Sequence, residues 1–511
     1  MDIAGVFDSA VARDPDALAF VDGDRRRAYR GWDGDIGRAA GGLARLGLKR
    51  GDRLMCVMPN SYEMATLYWA SQRLGAIFTP FNWRATPEEI AYAVGDAEPA
   101  LLAWDERVVE RPDLDGTRLI SVGSRRDGPG FGDLMASTRI APDPPLADTD
   151  ICLMLYTSGT TGKPKGVPRP VAAERIAAAS VIAHLRYRFG ERILGAMPMF
   201  HTMGIRNMLT CAMLNGAFVN MRGFDAGEAL KLIEAEKVSA AFLVPTMFHD
   251  MLGHDGLSSR DTGSVRNVAY AGMSMTGALE QRCVEAFKPE VFANYYGSSE
   301  IFTFSFCDRL DDKPGAAGRA GINQQLRVVR ADPDEPVGPG ETLPPGEIGE
   351  VIASMRSPEA FAGYWKRPDA DEKAIRDGWY FTGDLGYVDE DGDLFLCGRI
   401  DDMIISGGEN IHPEEVEDTL ADHPSVGAVA VVGLPDERWG QVVTAFIEPA
   451  TGDTSAEALG EHCTASSLAR FKRPRAYIFV EALPRSASGK LLRRLLREGD
   501  YKMKDGFESS V

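Results

Sequence analysis

The sequence predicts an α/β protein that has a large N-terminal domain of several subdomains and a small α+β C-terminal domain. Three observations support this prediction. The chain has 511 residues, 44% hydrophobic and 26% charged, which is typical of a folded protein with more than one core. Helical patterns alternate with short buried strands, and the composition changes near residues 399–402. We therefore expect one domain over residues 1–400 and a second over residues 401–511.

The pattern of apolar residues defines the elements of the first domain. Residues 37–47 and 62–75 carry apolar residues at helical spacing, and the runs RLMCVMP and AIFTPF between and after them are typical of short strands. The same alternation recurs through KVSAAFLVP, SVRNVAYAG and PEVFANYYG. It favours a largely parallel sheet. Residues 332–346 are rich in Pro, Gly and acids, which predicts an exposed connection.

The C-terminal part has its own complete set of elements. A helix is expected to begin at Pro413, followed by the strands GAVAVVG and VVTAFIE, a helix from Ala456 and the strand AYIFV. Helices and strands of this number are sufficient for a small second domain.

Charge, cysteine content and hydropathy limit the classes of function. The net charge of −19 opposes non-specific binding to nucleic acid or to an anionic membrane. The seven cysteines form no C-x-x-C pair, and neither an N-terminal signal pattern nor a spanning apolar helix is present. We expect a soluble, reduced, cytoplasmic protein without a nucleic-acid partner or an integral membrane segment.

The segment ICLMLYTSGTTGKPKGVPRP is the strongest functional signal. An apolar strand runs into a turn whose glycines let backbone N–H groups approach an anion, while hydroxyls and lysines add donors and charge. The candidate phosphate-binding residues are Thr157, Ser158, Gly159, Thr160, Thr161, Gly162, Lys163 and Lys165. Pro164 excludes the Walker pattern. A flexible linker is the alternative, and the helical pattern that follows argues against it.

Three further segments carry polar groups suited to a nucleotide. In NYYGSSE, aromatic rings precede two hydroxyls and Glu300, a set that can stack on a base, bind phosphate and ligate a hard cation. Asp384 follows the apolar run WYF and suits a ribose, although an acid there also caps turns. Residues 470–497 are strongly basic in an otherwise acidic chain, which suits phosphates or a solvated helix.

In order along the chain, the motifs YTSGTTGKPKG, NYYGSSE, GWYFTGDLGYVDEDGDLFLCGRIDD, ISGGENIHPEEVE and RSASGK resemble those of the AMP-forming acyl-CoA synthetases. This family belongs to the adenylate-forming superfamily, with luciferases and peptide-synthetase adenylation domains. The stretch GRIDDMIISGGENIHP, with RWGQ and FKRP, is most similar to aryl-CoA ligases of the chlorobenzoate type. The resemblance implies ATP and CoA as co-substrates, Mg²⁺ as cofactor and a carboxylic acid as substrate.

The resemblance also assigns roles to residues. Lys490, Glu300 and His201 form the catalytic set, with Glu300 on Mg²⁺ and His201 bordering the acid. Tyr296 faces adenine, Ser299 the α-phosphate, Asp384 the ribose with Arg399 beside it, and the glycine-rich turn the phosphates. Ser299 stands where Thr is commoner in the family, which retains the hydroxyl. The residues implied to bind CoA are Gly407, Gly408, Trp439, Gly440, Phe471, Arg473 and Arg475.

The motif positions further imply an acid-binding pocket. Its expected walls, besides His201, are His184, Met203, Gly272, Met273, Asn294, Tyr295, Gly297, Ile301 and Phe302. Bulky side chains among them favour a compact aromatic or alicyclic acid, and no charged side chain is present for a second carboxylate. Viewed alone, His201 also suits a core histidine.

Several alternatives remain open at this point. The substrate can instead be a medium- or long-chain fatty acid, or the acceptor a separate carrier protein. A luciferase-like oxygenase would use the same adenylation site. A non-enzymatic nucleotide sensor would be expected to lack Lys490 or Glu300, and both are present. The resemblance places a hinge at Asp401, about which the mobile small domain rotates between two half reactions, and it is compatible with a homodimer.

Overall fold

The computed structural model describes residues 1–105, 114, 117–123, 128–140, 145–157, 163–332, 337–450, 452, 454–485 and 491–507. The chain divides into two compact units. The first contains Met1–Gln325 and Ser354–Gly378, and the second contains Leu326–Ala353 and Trp379–Val511. The second unit thus includes all of residues 401–511 together with two preceding segments. The domain boundary and hinge at Asp401 stay predictions.

The helices begin and end as follows: α1 Ile3–Arg13, α2 Tyr29–Arg45, α3 Tyr62–Arg73, α4 Pro87–Ala97, α5 Phe131–Met135, α6 Val171–His184, α7 Thr202–Met213, α8 Ala226–Glu236, α9 Pro245–Gly253, α10 Gly277–Phe287, α11 Pro368–Ala374, α12 Pro413–Ala421, α13 Ala456–Ala465 and α14 Arg493–Glu498. Short 3₁₀ helices span Leu257–Ser259, Ile400–Asp402 and Arg470–Lys472. Local chemistry explains several boundaries. For example, Thr86 and Glu89 form a capping box at the start of α4, which satisfies two backbone donors.

The strands are β1 Leu18–Asp22, β2 Arg25–Ala28, β3 Arg53–Val57, β4 Ile77–Phe81, β5 Leu101–Asp105, β6 Leu119–Val122, β7 Ile151–Thr157, β8 Lys165–Pro170, β9 Arg192–Gly195, β10 Ala217–Asn220, β11 Ala240–Leu243, β12 Asn267–Ala271, β13 Val291–Tyr296, β14 Ser305–Cys307, β15 Arg319–Ala320, β16 Leu326–Val329, β17 Gly349–Ser354, β18 Ile375–Arg376, β19 Trp379–Val388, β20 Leu394–Arg399, β21 Ile404–Ser406, β22 Glu409–Ile411, β23 Val426–Asp436, β24 Gly440–Pro449 and β25 Ala476–Phe479. The predicted strands of both halves are confirmed within a residue or two at most ends.

Two sheets form the first unit. One has the order β15-β14-β13-β12-β11-β9-β10-β1-β2 and the other the order β6-β5-β3-β4-β7-β8. Their central strands pair in parallel, as in β11–β12–β13 and β5–β3–β4. Nearly all residues of these strands are buried, which explains their largely apolar sequences. The predicted α/β fold with a largely parallel sheet is confirmed.

The second unit has two sheets of its own. In one, β16 pairs antiparallel with β17, and β19 with β20. The other has the order β22-β21-β24-β23, with β25 added parallel to β24. Helices α12 and α13 cover one face of the latter sheet, where Val416, Leu420 and Leu459 pack against Val431 and Val443. This α+β arrangement confirms the elements predicted for the C-terminal domain.

No helix among the described residues combines the length and the hydrophobicity needed to cross a bilayer.

Candidate active site

Strands β7 and β8 present the glycine-rich motif. They pair antiparallel, and Thr157 lies opposite Lys165. The sequence predicts a strand followed by a helix, whereas strand β8 precedes that helix, α6. The ammonium of Lys163 lies 5.3 Å from the ring centroid of Tyr92, and that of Lys165 lies 4.2 Å from the ring centroid of Tyr364. Ser158, Gly159, Thr160, Thr161 and Gly162 lie outside the described residues.

A segment over residues 361–365 joins β8 to the NYYGSSE motif by backbone hydrogen bonds. Its Phe361 N–H donates to the Glu300 carbonyl at 2.8 Å, and its Trp365 N–H donates to the Gly166 carbonyl at 2.9 Å. A bond from the Ala362 N–H to the Pro168 carbonyl lies between them at 3.3 Å. The structure therefore brings two distant motifs of the predicted ATP site together.

The turn after β13 fixes Glu300. Glycine is required at residue 297, because a Cβ there would lie 1.7 Å from the Phe302 carbonyl oxygen. The Ser298 N–H donates to the Ile301 carbonyl at 2.9 Å, and the Ser298 hydroxyl accepts from the Glu300 N–H at 3.2 Å. The Glu300 side chain is 6% exposed, and its Oε1 accepts from the Tyr364 hydroxyl at 2.8 Å. One carboxylate is thus held in one orientation.

Tyr296 and Ser299 flank this turn differently. Tyr296 ends β13 and is nearly buried, with its ring 4.9 Å from that of Phe304. Ser299 is partly exposed. An aromatic ring at the carboxyl end of a parallel strand suits a base-binding position, because ligands of open α/β sheets bind at that edge.

Buried ions lie directly behind the turn. Arg169, Glu174 and Arg206 are at most 1% exposed, and both guanidinium groups bond to the Glu174 carboxylate at 2.7–2.9 Å. Burial by itself would raise the pKa of Glu174, but Arg206 and Arg169 lower it below its usual value. Arg169 also donates to the Glu300 carbonyl at 2.7 Å. Glu359, whose pKa burial raises, accepts from the Thr303 N–H at 3.0 Å.

Three residues predicted to line the acid pocket, His184, Tyr295 and Phe302, form an aromatic cluster with Phe306. The Tyr295 ring lies 5.7 Å from Phe302 and 5.6 Å from His184, and the His184 ring stacks on Phe306 at 4.7 Å. The Tyr295 hydroxyl is 2.8 Å from His184 Nδ1 and 3.2 Å from Thr303 Oγ1. Burial lowers the pKa of His184 to about 4 and raises that of Tyr295. Ring contacts and hydrogen bonds therefore connect these side chains, and the His184 imidazole is neutral near pH 7.

Other predicted wall residues occupy different places. His201 is the N-cap of α7 and accepts from the Met203 N–H at 3.4 Å, while Met203 is buried in the first turn. Asn294 donates to the Ala316 carbonyl at 2.9 Å, on the face of β13 opposite to Tyr295. Gly272 and Met273 follow β12, and Ile301 is fully buried. Gly272 has a φ of +88°, which favours glycine.

The second unit contains the predicted ribose site. Asp384 on β19 lies opposite Arg399 on β20, and their side chains bond at 2.6 Å. The Asp384 N–H donates to the Thr382 hydroxyl at 3.0 Å. Gly383, with a φ of +72°, leaves room for the guanidinium, because a Cβ there would lie 2.9 Å from Arg399 Nη2. The hairpin thus holds a carboxylate and a guanidinium group side by side.

The predicted CoA residues meet around one indole. The Arg475 guanidinium lies 4.1 Å from the Trp439 ring centroid. Gly407 donates to the Trp439 carbonyl at 2.8 Å, and a Cβ on Gly407 would approach the indole to 2.8 Å. Gly440 pairs with Ser406. Gly407, Gly408 and Gly440 all have φ between +62° and +88°. The three glycines allow a backbone that other residues rarely adopt.

The rest of the predicted set divides into three groups. Phe471 is exposed on a 3₁₀ helix, whereas Arg473 turns back to the protein and donates to the Leu468 carbonyl at 3.1 Å. Asp401 lies in the 3₁₀ helix Ile400–Asp402. Lys490 lies outside the described residues.

Sequence reasoning missed the residues that support Glu300. Tyr364 lies in no predicted motif, and no local pattern signals its contact with Glu300. Arg169, Glu174, Arg206 and Glu359 are charged residues that the sequence alone would place at the surface. A weak signal existed for Arg169, which stands between two prolines in a buried strand.

Two family models match most of the chain. The model of the AMP-binding enzyme family matches residues 7–365, and that of the AMP-binding enzyme C-terminal domain matches residues 415–490. The chain therefore belongs to the AMP-binding enzyme family.

Curated relatives match over nearly the whole length. Feruloyl-CoA synthase of an Amycolatopsis species is 34% identical over 492 residues, which cover 94% of this chain and 96% of the relative. 4-Chlorobenzoate–CoA ligase of an Arthrobacter species is 35% identical over 507 residues, covering 95% and 93%. A long-chain-fatty-acid–CoA ligase of Mycobacterium tuberculosis is 33% identical over 484 residues, covering 93% of each.

Solved structures of CoA ligases superpose on nearly the whole chain. An anthranilate CoA ligase in complex with anthranoyl-AMP superposes with a TM-score of 0.88 at 27% identity, covering 98% of this chain and 97% of that one. o-Succinylbenzoate CoA synthetase of Bacillus subtilis, in complex with its acyl-adenylate intermediate, gives a TM-score of 0.86 at 26% identity, covering 96% and 97%. The chain is an ATP-dependent carboxylate–CoA ligase with ATP and CoA as co-substrates.

Proposed function

We propose that this ligase activates a compact aromatic carboxylic acid. The single observation that carries the proposal is the cluster of His184, Tyr295, Phe302 and Phe306, whose rings and hydrogen bonds would form one wall of the acid site. Flat rings pack well against such a wall, because offset and edge-to-face contacts add to simple burial. The names of relatives that act on ferulate, chlorobenzoate and anthranilate support the same class.

The reaction has two halves. A carboxylate oxygen attacks the α-phosphate of ATP, the bond to pyrophosphate breaks, and an acyl adenylate forms. The CoA thiolate then attacks the acyl carbon and displaces AMP. Neither half needs a protein nucleophile, so the protein acts by positioning the reactants and stabilising charge. Because ATP and CoA are both intracellular metabolites, we place the reaction in the cytoplasm.

The residues that we propose to bind ATP are described unit by unit. In the first unit, Thr157 and Lys165 flank the phosphate-binding turn, Tyr296 contacts adenine and Ser299 the α-phosphate. In the second unit, Asp384 accepts from the ribose hydroxyls, and Arg399 orients its carboxylate. Hydrogen bonds to a charged group contribute about 1.5 to 3 kcal/mol each.

Glu300 would hold Mg²⁺. Its carboxylate is a hard oxygen ligand, and the bond to Tyr364 already fixes its orientation, so it fits this cation. Within the described ranges, no three His, Cys, Asp or Glu side chains form a metal-binding group. Mg²⁺ commonly takes one or two carboxylates together with substrate phosphates, and that mode needs no larger protein cluster. When bound, the cation supplies positive charge to the phosphates.

The CoA site centres on Trp439. The indole is fixed by Gly407 and Arg475, and it offers an apolar surface to the pantetheine arm. Arg475 and Arg473 would supply charge to the nucleotide phosphates of CoA, with Phe471, Gly408 and Gly440 lining the approach. Arg473 already bonds to the Leu468 carbonyl, so Arg475 carries more of this role than Arg473.

A substrate screen tests the proposed class. Pyrophosphate exchange measured over benzoates, cinnamates, cyclohexanecarboxylates and fatty acids should give the highest kcat/KM for a ring acid. The second candidate is a long-chain fatty acid, which one relative's name favours. A higher kcat/KM for palmitate than for every ring acid would replace the aromatic class by this second candidate.

Lys490 is proposed as the catalytic lysine of the adenylation half. Lys490→Ala should slow pyrophosphate exchange by about 10²- to 10³-fold, the usual cost of losing one preorganised donor on developing charge. Thioester formation from preformed acyl adenylate and CoA should survive. Arg494→Ala, an exposed charge paired with Glu498, is the matched control. Equal losses in both halves would show that Lys490 has a structural role.

A further inference from the structure

Tyr364 contacts two groups that the proposed function assigns to the ATP site. Its hydroxyl donates to Glu300 Oε1 at 2.8 Å, and its ring centroid lies 4.2 Å from Lys165 Nζ. Tyr364 and Glu300 are both 6% exposed, so bulk water competes little for the hydrogen bond between them. We propose that Tyr364 is a positioning residue that sets the carboxylate of Glu300 for the cation and the ammonium of Lys165 for the phosphates. This inference rests on the proposed function.

The hydroxyl contact acts on the carboxylate. A glutamate side chain has three rotatable bonds, and ordering it costs conformational entropy when a ligand binds. The Tyr364 bond selects the orientation of Glu300 beforehand, and hydrogen bonds to an ionised acceptor are the stronger kind. Arg169 and Phe361 hold the backbone carbonyl of the same residue at 2.7 and 2.8 Å. Backbone and side chain of Glu300 are therefore both held before the nucleotide binds.

The ring contact acts on the ammonium. A lysine over an aromatic face is attracted by the ring quadrupole, by about 0.5 to 2 kcal/mol depending on its exposure. Lys165 begins β8, immediately after the glycine-rich turn, where its side chain has four rotatable bonds. The contact with the Tyr364 ring limits this freedom.

The backbone around Tyr364 is itself well fixed. Its N–H donates to Asp371 Oδ1 at 2.8 Å, and its ring packs at 4.9 Å from that of Phe361. Gly363 has a φ of +91°, and a Cβ there would lie 2.8 Å from the Asp371 carboxylate. Trp365 is bonded to Gly166 on β8. These contacts place the Tyr364 ring between the two motifs.

The test separates the hydroxyl from the ring. Tyr364→Phe removes only the hydroxyl, and Tyr364→Leu removes both contacts. Tyr270→Phe is the matched control, because the Tyr270 hydroxyl is also buried and donates to a glutamate, Glu280, at 2.6 Å. Mn²⁺ binding to the complex with a non-hydrolysable ATP analogue is measured by electron paramagnetic resonance. Pyrophosphate exchange is measured in parallel as a function of Mg²⁺ and ATP.

Two results are expected. Tyr364→Phe should weaken Mn²⁺ binding, and raise the Mg²⁺ concentration for half-maximal exchange, by about tenfold. Its KM for ATP at saturating Mg²⁺ should stay within twofold. Tyr364→Leu should share the weaker Mn²⁺ binding and in addition raise the KM for ATP several-fold. Tyr270→Phe should match the wild type in all three quantities.

The outcomes that contradict the inference are distinct. Mn²⁺ binding by Tyr364→Phe as tight as by Tyr270→Phe would exclude a positioning role for the hydroxyl. An unchanged KM for ATP in Tyr364→Leu would exclude the role of the ring. Absence of exchange by the wild type with every acid would instead contradict the proposed function, and the Mn²⁺ titration would still decide the role of Tyr364.

Discussion

His184 shows how single hydrogen bonds define a protonation state. The Ile322 N–H donates to His184 Nε2 at 3.2 Å, so Nε2 carries no proton in the neutral ring. The proton is then assigned to Nδ1, which donates to the Tyr295 hydroxyl oxygen. Tyr295 can in turn donate to Thr303 Oγ1. His184, which is predicted to line the acid pocket, is therefore a neutral, directionally bonded imidazole.

The pH dependence of stability should reveal this state. The pKa of folded His184 is about 4, against about 6.5 in the unfolded chain. Unfolded His184 therefore binds a proton that the folded residue does not, and its contribution is present above pH 6.5 and lost as the pH falls towards 4. Between pH 7 and pH 5, the wild type should lose about 2 kcal/mol more unfolding free energy than His184→Phe.

Urea unfolding at the two pH values measures this difference. His249→Phe, which changes an exposed histidine on α9, is the control and should lose as much as the wild type. Equal losses by the wild type and His184→Phe would contradict a neutral, half-buried His184.

Among the structural elements, the turn that follows β13 determines where Ser299 and Glu300 lie. Gly297→Ala should raise the KM for ATP more than tenfold and lower the thermal midpoint, because the new Cβ meets the Phe302 carbonyl and displaces Ser299 and Glu300. Gly95→Ala is the control, since nothing lies within 4 Å of a Cβ there and alanine favours helix α4. ATP titrations of pyrophosphate exchange and calorimetry measure both effects. A normal KM in Gly297→Ala would show that the turn adapts.

Strand β24 and the residues beside it should control CoA. Trp439→Ala and Arg475→Gln should each raise the KM for CoA about tenfold, because each removes half of the stacked pair. Pyrophosphate exchange should stay within twofold, since it does not involve CoA. Arg470→Gln, which changes a nearby charge on the 3₁₀ helix, is the control. Wild-type KM values for CoA in both variants would remove this surface from the active site.

Elements and motifs differ in how far the sequence predicts them. Helix α12 begins at Pro413 as expected, because proline favours a first helical position, and the strands follow from continuous apolar runs. The pairing of Asp384 with Arg399 follows from a hairpin that lies within a single predicted motif, residues 378–402. The contact of Tyr364 with Glu300 depends on the path of residues 361–365 beside β8, and long-range pairing leaves no periodic signal in the sequence.

For the whole molecule, the prediction to be tested is that the small C-terminal domain rotates between the two half reactions. Lys490 is proposed to act in the first half reaction and the loop containing Gly407 and Gly408 in the second, which motivates rotation about Asp401. Such hinges absorb large dihedral changes at one or two residues. Asp401→Pro fixes φ near −65°, whereas Asp401→Ala leaves it free.

We expect Asp401→Pro to retain pyrophosphate exchange within a few-fold and to lose thioester formation by orders of magnitude. Asp401→Ala should retain both rates, since only the backbone rotation matters. Separate measurements of the rates of the two half reactions test this prediction. Asp401→Pro with both rates intact would contradict domain alternation, and Asp401→Ala with the same defect as Asp401→Pro would assign it to the lost carboxylate.

Ion pairs link Asp402, the residue after the proposed hinge, to helix α14. Asp402 bonds to Arg497 at 2.7 Å, and Arg493 bonds to Glu417 at 2.7 Å and to Asp402 at 3.4 Å. Burial raises the pKa of nearby Glu414 to about 7 despite the opposing effect of Arg493. These bonds join the 3₁₀ helix at the proposed hinge to α14 within one compact unit.

The buried ions behind Glu300 also constrain how descendants of this protein can diverge. Loss of Glu174 alone leaves the buried guanidinium groups of Arg169 and Arg206 without their shared carboxylate, which typically costs about 3 to 5 kcal/mol, whereas joint replacement by apolar residues is often neutral. A single substitution of Glu174 should therefore lower stability unless both arginines are replaced as well. Related sequences should retain all three residues or replace all three together. The residues around the substrate can vary more freely than the residues that support Glu300.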